Sequence, residues 1–73
     1  MIIDCGFTTV PFEGSALDIS RDSQYSTDLW KLVAYVGDKK FTLKGHMSWD
    51  EAKWELRGIV DAYKQGEKIY EVK

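Results

Sequence analysis

The chain has 73 residues, 44% of them hydrophobic and 30% charged, and a net charge of −2. Such a length supports one domain, and the composition is that of an ordinary soluble protein with no apolar run long enough for a transmembrane helix. The acidic balance argues against a dedicated nucleic-acid binder.

A chain this short buries only roughly 60% of its unfolded surface. Three Trp, four Tyr and three Phe supply the compensating apolar area. The opening "MIIDCGF" lacks the basic-then-apolar pattern of a signal peptide. The lone Cys5 cannot close an intramolecular disulfide. Both point to the cytoplasm. Charge is uneven along the chain. Residues 1–28 carry Asp4, Glu13, Asp18, Asp22 and Asp28 against Arg21, a net of −4, and residues 29–73 carry the compensating +2. Attraction between the two parts within the fold accounts for this asymmetry.

The first segment, "MIIDCGFTTVPFE", is rich in strand formers. Ile3, Cys5 and Phe7 alternate with Ile2, Asp4 and Thr8, as a half-buried strand requires. Gly6 suggests a bulge or a close backbone approach, and Pro11 an edge or strand end. Residues 14–28, "GSALDISRDSQYSTD", are polar and read mostly as a loop, with a short strand over 16–20. Leu17, Ile19 and Tyr25 are its apolar anchors.

"LWKLVAYVGDKKFTLKG" reads as a hairpin. Gly37-Asp38 is a two-residue turn with Gly at the first central position, as type II′ prefers. That register sets Val36 opposite Lys39, Tyr35 opposite Lys40, Ala34 opposite Phe41 and Val33 opposite Thr42. It continues to Leu32 with Leu43 and Lys31 with Lys44. Trp30, Leu32, Ala34, Val36, Phe41 and Leu43 then share a core face, while Lys31, Val33, Tyr35, Lys40, Thr42 and Lys44 share the other.

The helix is expected over 48–65. Ser48 and Glu51 form a capping box, Asp50 and Glu51 suit the positive end of the dipole, and Gly66 is placed as a C′ glycine. Met47 is placed to staple the first turn. "KIYEVK" alternates as a final strand. On a helical wheel centred on Trp49, Leu56, Ile59, Val60 and Tyr63 fall within about 80° and Ala52 within about 60°. Trp54 lies about 140° away, on the side of Gly58 and Ala62. A mid-helix glycine costs about 1 kcal/mol against alanine, and usually admits a close neighbour. Three readings follow. The loop at 13–28 folds over this face and covers Trp54 with Leu17, Ile19 or Tyr25; or Trp54, Gly58 and Ala62 form a partner-binding surface in which Trp is the anchor; or Trp54 is simply an exposed side chain.

Lys31, Tyr35, Lys40 and Lys44 make a basic-aromatic face, a weak form of a single-strand nucleic-acid platform. "DISRDSQYSTD" fails as a calcium loop, because Ser23 replaces the required Gly and no Glu closes it. His46 and Cys5 are single residues without metal-ligand spacing or a nucleophile motif. No phosphate loop, GxSxG or HExxH occurs.

The expected fold is α+β: a small antiparallel sheet of about four strands, with one C-terminal-half helix packed on one face. The expected function is that of a non-enzymatic binding protein, without metal or cofactor. It docks on another protein as a regulator or inhibitor, a role common among small proteins of phages and mobile elements. Nucleic-acid binding by the hairpin face is the alternative. Self-association through an edge strand or the Trp54 face, giving a homodimer, is a third expectation.

Overall fold

The fold is α+β, with six strands and one helix in the computed structural model, which describes residues 1–22 and 28–72. In chain order these are β1 (Ile2–Asp4), β2 (Thr9–Pro11), β3 (Ser15–Arg21), β4 (Trp30–Val36), β5 (Lys39–Met47), α1 (Trp49–Lys64) and β6 (Ile69–Glu71). They build two three-stranded sheets, ordered β2-β1-β6 and β3-β4-β5, where the sequence suggested one sheet.

The first sheet arises because "MIIDCGFTTVPFE" turns back on itself. Asp4 Oδ1 accepts the Gly6 N–H at 2.9 Å, and the Cys5 N–H donates to the Thr8 carbonyl at 3.1 Å. Phe7 is thereby thrown to the tip, 75% exposed, rather than onto the core face. The register aligns Val10, Ile3 and Tyr70 in one row. Side chains alternate faces along a strand, so this row turns inward, and Ile3 and Val10 are buried. The flanking row of Pro11, Ile2 and Ile69 turns outward, leaving Ile69 60% exposed. β6 joins β1 in parallel, which the long excursion between them permits.

The second sheet contains the expected hairpin. Gly37 has φ +63° at the first turn position, the conformation a II′ turn demands there. Four pairs match the expected register, Val36–Lys39 through Val33–Thr42. Beyond them β5 carries extra residues: Leu32 pairs with Lys44 and Trp30 with Met47. The Asp22 carboxylate holds this irregular end, accepting the His46 N–H at 2.6 Å and lying 3.2 Å from His46 Nδ1. His46 adopts φ +54° there, a left-handed conformation that costs a residue with a Cβ about 1–2 kcal/mol. The short strand expected over 16–20 is present and extends to Ser15–Arg21, paired along its whole length with β4. Tyr25 and Ser23 lie outside the described residues.

Helix α1 begins and ends where its caps dictate. The Glu51 N–H donates to Ser48 Oγ at 3.2 Å, and the Ser48 N–H reaches back to Glu51 Oε1 at 3.5 Å. At the other end the Glu67 N–H donates to the Ala62 carbonyl and the Gly66 N–H to that of Tyr63, the paired bonds of a Schellman stop. The helix packs against β3, β4 and β5. One core results: Ile3 and Val10 from the first sheet, Leu32, Ala34, Leu43 and Met47 from the second, Ala52 and Ile59 from the helix. Trp49 does not centre the buried stripe. It is 46% exposed and sets its ring edge-on to Trp30 at 4.7 Å. The stripe centres on Ala52 and Ile59, about 60–80° around the wheel from Trp49.

Removing Ile59 side-chain volume therefore opens a cavity shared by both sheets. Ile59→Ala should lower unfolding free energy by about 2–5 kcal/mol, and Ser48→Ala by about 1 kcal/mol. Urea denaturation of the two variants should rank them in that order.

Candidate functional site

The outer side of α1 carries the candidate surface. Trp54 is 75% exposed. Asp50, Lys53 and Arg57 line a shallow depression with it, and Lys53, Leu56, Arg57, Val60, Asp61 and Lys64 line a second beside it. Arg57 Nε lies 4.0 Å from Asp61 Oδ2, one turn along the same face. Leu56 and Val60 are half-buried, giving the second depression an apolar floor between charged walls.

Leu17 and Ile19 do not cover Trp54. They belong to β3 and pack against the core; the third expected cover, Tyr25, falls outside the described residues. Gly58 and Ala62 are placed differently from Trp54. A Cβ at Gly58 would stand 2.9 Å from Tyr70 Oη, so the chain's own tyrosine takes the space that the glycine leaves. Ala62 is half-buried. Of the three expected partner-binding residues, Trp54 alone projects freely. Asp50 and Arg57 frame it from its i−4 and i+3 positions, and Lys53, which precedes it in the chain, completes the lining.

Tyr70 adds an internal polar contact. Its hydroxyl donates to Glu55 Oε2 at 3.2 Å, while Glu55 Oε1 is buried with no hydrogen-bond partner among the described residues. Burial, then the adjacent Glu55 carboxylate, raises the Tyr70 pKa above the ordinary tyrosine value. The neutral hydroxyl is thus the form the fold prefers.

The basic-aromatic face of the hairpin is less basic than expected. The added residues in β5 remove Lys44 from the row of Lys31, whose partner in β3 is Ser20. Asp18 stands in the row of Val33 and Thr42. Val33, expected at the surface, is fully buried at the centre of that face. Lys40 Nζ lies 5.9 Å from the Tyr35 ring centroid, directly across the ladder. His46 is exposed and oriented by Asp22. The Cys5 thiol donates to the Thr8 carbonyl at 3.2 Å. Among the described residues no three His, Cys, Asp or Glu gather into a metal-holding group, and no helix is long and apolar enough to cross a membrane.

Searches of family models, curated proteins and solved structures return no match to this chain.

Two measurements check the Tyr70 assignment. Gly58→Ala should gain helix propensity worth up to about 1 kcal/mol in a Tyr70→Phe background, and lose that gain where the hydroxyl is present; a double-mutant cycle reads the coupling. Because the folded-state pKa of Tyr70 is raised, its contribution to stability is complete below the unfolded tyrosine pKa and disappears as pH rises through the folded one. Alkaline titration of stability should therefore fall less steeply in Tyr70→Phe than in the parent.

Proposed function

We propose that the protein is a non-enzymatic binding protein that docks on another protein through the outer face of α1 and modulates it as a regulator or inhibitor. The observation that carries this reading is the 75% exposure of Trp54 among Asp50, Lys53 and Arg57. A tryptophan offers large apolar area and an N–H donor at small conformational cost, and interfaces concentrate their binding energy in such anchors. The charges around it supply the polar rim that such an anchor needs. Gly58 and Ala62, which the sequence grouped with Trp54, act in this reading as packing positions beneath the helix. A cytoplasmic setting, and an origin among phage or mobile-element proteins, belong to the same proposal.

Nucleic-acid binding by Lys31, Tyr35, Lys40 and Lys44 is the weaker alternative. Asp18 and the shifted Lys44 interrupt the basic row on which it depended.

Trp54→Ala decides between anchor and ornament. An exposed position predicts a stability change within about 0.5 kcal/mol. Capture of a target by the immobilised protein should be lost in the variant while the parent retains it. Unchanged capture, or strong destabilisation, overturns the reading.

A further inference from the structure

We propose that the outer face of the first sheet is a second docking surface, separate from that of α1, and that its occupant is a protein segment carrying a short aliphatic run flanked by lysines or arginines. Side chains alternate along a strand, so the register sends two rows outward. One is Pro11, Ile2 and Ile69; the other, beside it, is Thr9, Asp4 and Glu71. A sheet face that meets only water is expected to be polar. The first row is apolar on all three strands. Ile2 is 41% and Ile69 60% exposed, and Pro11 is exposed as well. One exposed apolar side chain needs no explanation. Three neighbours, about 4.8 Å apart from strand to strand, form a continuous strip.

The second row defines the chemistry of the occupant. Asp4 and Glu71 are direct partners in the parallel ladder. Their carboxylates share one face of adjacent strands, where like charges repel. The three strands contain no lysine or arginine, and no ion pair reaches either carboxylate among the described residues. Lys68, one position before β6, follows the alternation of the inner row. A cation supplied from outside relieves the repulsion that the fold leaves in place, and an aliphatic side chain next to it covers the strip. The phosphates of a nucleic acid or an anionic lipid would be repelled by the same carboxylates. The chain's own basic hairpin face, with Val33 buried, offers cations without an exposed aliphatic row, so a second copy matches the strip poorly.

The probe is a synthetic peptide with a short isoleucine-valine run flanked by lysines; its control has glutamates in place of the lysines. In ¹H–¹⁵N spectra of the full chain, the lysine peptide should move the amide signals of Ile2, Asp4, Ile69 and Glu71, and the glutamate peptide should not. Binding should weaken as salt rises from about 0.1 to 1 M, where the screening length shrinks from about 10 to 3 Å. Asp4→Asn, which keeps the acceptor for the Gly6 N–H at 2.9 Å, and Glu71→Gln should each weaken binding about two- to fivefold. Ile69→Ser should weaken it about fivefold. Glu71→Lys should weaken binding while raising the thermal midpoint of the free protein by about 2 °C, because it removes the cross-strand repulsion. A merely structural role for Glu71 predicts no such opposition of binding and stability. Trp54→Ala should leave peptide binding unchanged, which keeps this face distinct from that of α1. No response at millimolar peptide, an equal response to the glutamate peptide, or shifts confined to α1 overturns the proposal. Concentration-dependent movement of the same signals without peptide assigns the face to a second copy and also overturns it.

Discussion

Helix α1 has to close a core that neither sheet can close. Two of the three strands of the first sheet's inner row contribute fully buried side chains, Ile3 and Val10. A sheet of three-residue strands hides too little apolar surface to stand alone. The second sheet is larger but presents Leu32, Ala34, Leu43 and Met47 on one side with nothing of its own to cover them. Ala52 and Ile59 join both sets in one core cluster. The helix is then pinned near its ends by rings from different sheets: Trp49 against Trp30 of β4, and Tyr63 stacked at 4.3 Å on Phe12, which follows β2. Rotation about the helix axis is thereby fixed, and with it the direction of every other side chain on α1.

Local signals were legible where they decide structure locally. The capping box at Ser48 and Glu51, the glycine stop at Gly66 and the Gly37-Asp38 turn each determine a conformation within a few residues, and all three are realised. The hairpin register held for as long as the turn controlled it. It shifts first between Thr42 and Lys44, and again before Met47, where Asp22, more than twenty positions away in sequence, accepts the N–H of the left-handed His46. An alternating pattern cannot show that shift, because Leu43 and Met47 remain buried despite it. The residues 2–11 misled for a related reason: a strand and a tight hairpin share the same alternation until the Asp4–Gly6 turn is recognised.

The wheel centred on Trp49 illustrates a different limit. Tryptophan is large enough to satisfy itself sideways, and at the first position of a helix it is free to do so. Trp30 offers that lateral partner, with Arg21 lying 5.6 Å from the centroid of the Trp30 ring. The true centre, Ala52 and Ile59, combines a small and a branched residue of lower apparent weight. Rotating the stripe brings Gly58 and Ala62 from the far side to the flank beside β6. The glycine is then explained by Tyr70, whose hydroxyl leaves no room for a Cβ and bonds the Glu55 carboxylate instead. The sequence signal at Gly58, a close approach, was real; its origin was internal.

What remains is the side of α1 opposite Ile59, and Trp54 stands on it. Single exposed hydrophobic residues are common and require no function. Phe7 is as exposed as Trp54, at a hairpin tip where backbone geometry alone accounts for it. Trp54 has no such account. The turn on which it sits is regular helix, where alanine or lysine would cost nothing. Its neighbours, moreover, follow an order of signs along the stripe, acidic at 50, basic at 53 and 57, acidic at 61, basic at 64. Pairs within one helix need only i to i+4 spacing, which Arg57 and Asp61 already satisfy. In the proposed docking face, the exposed tryptophan among these charges supplies the apolar contact that charges alone, screened by solvent, would not provide.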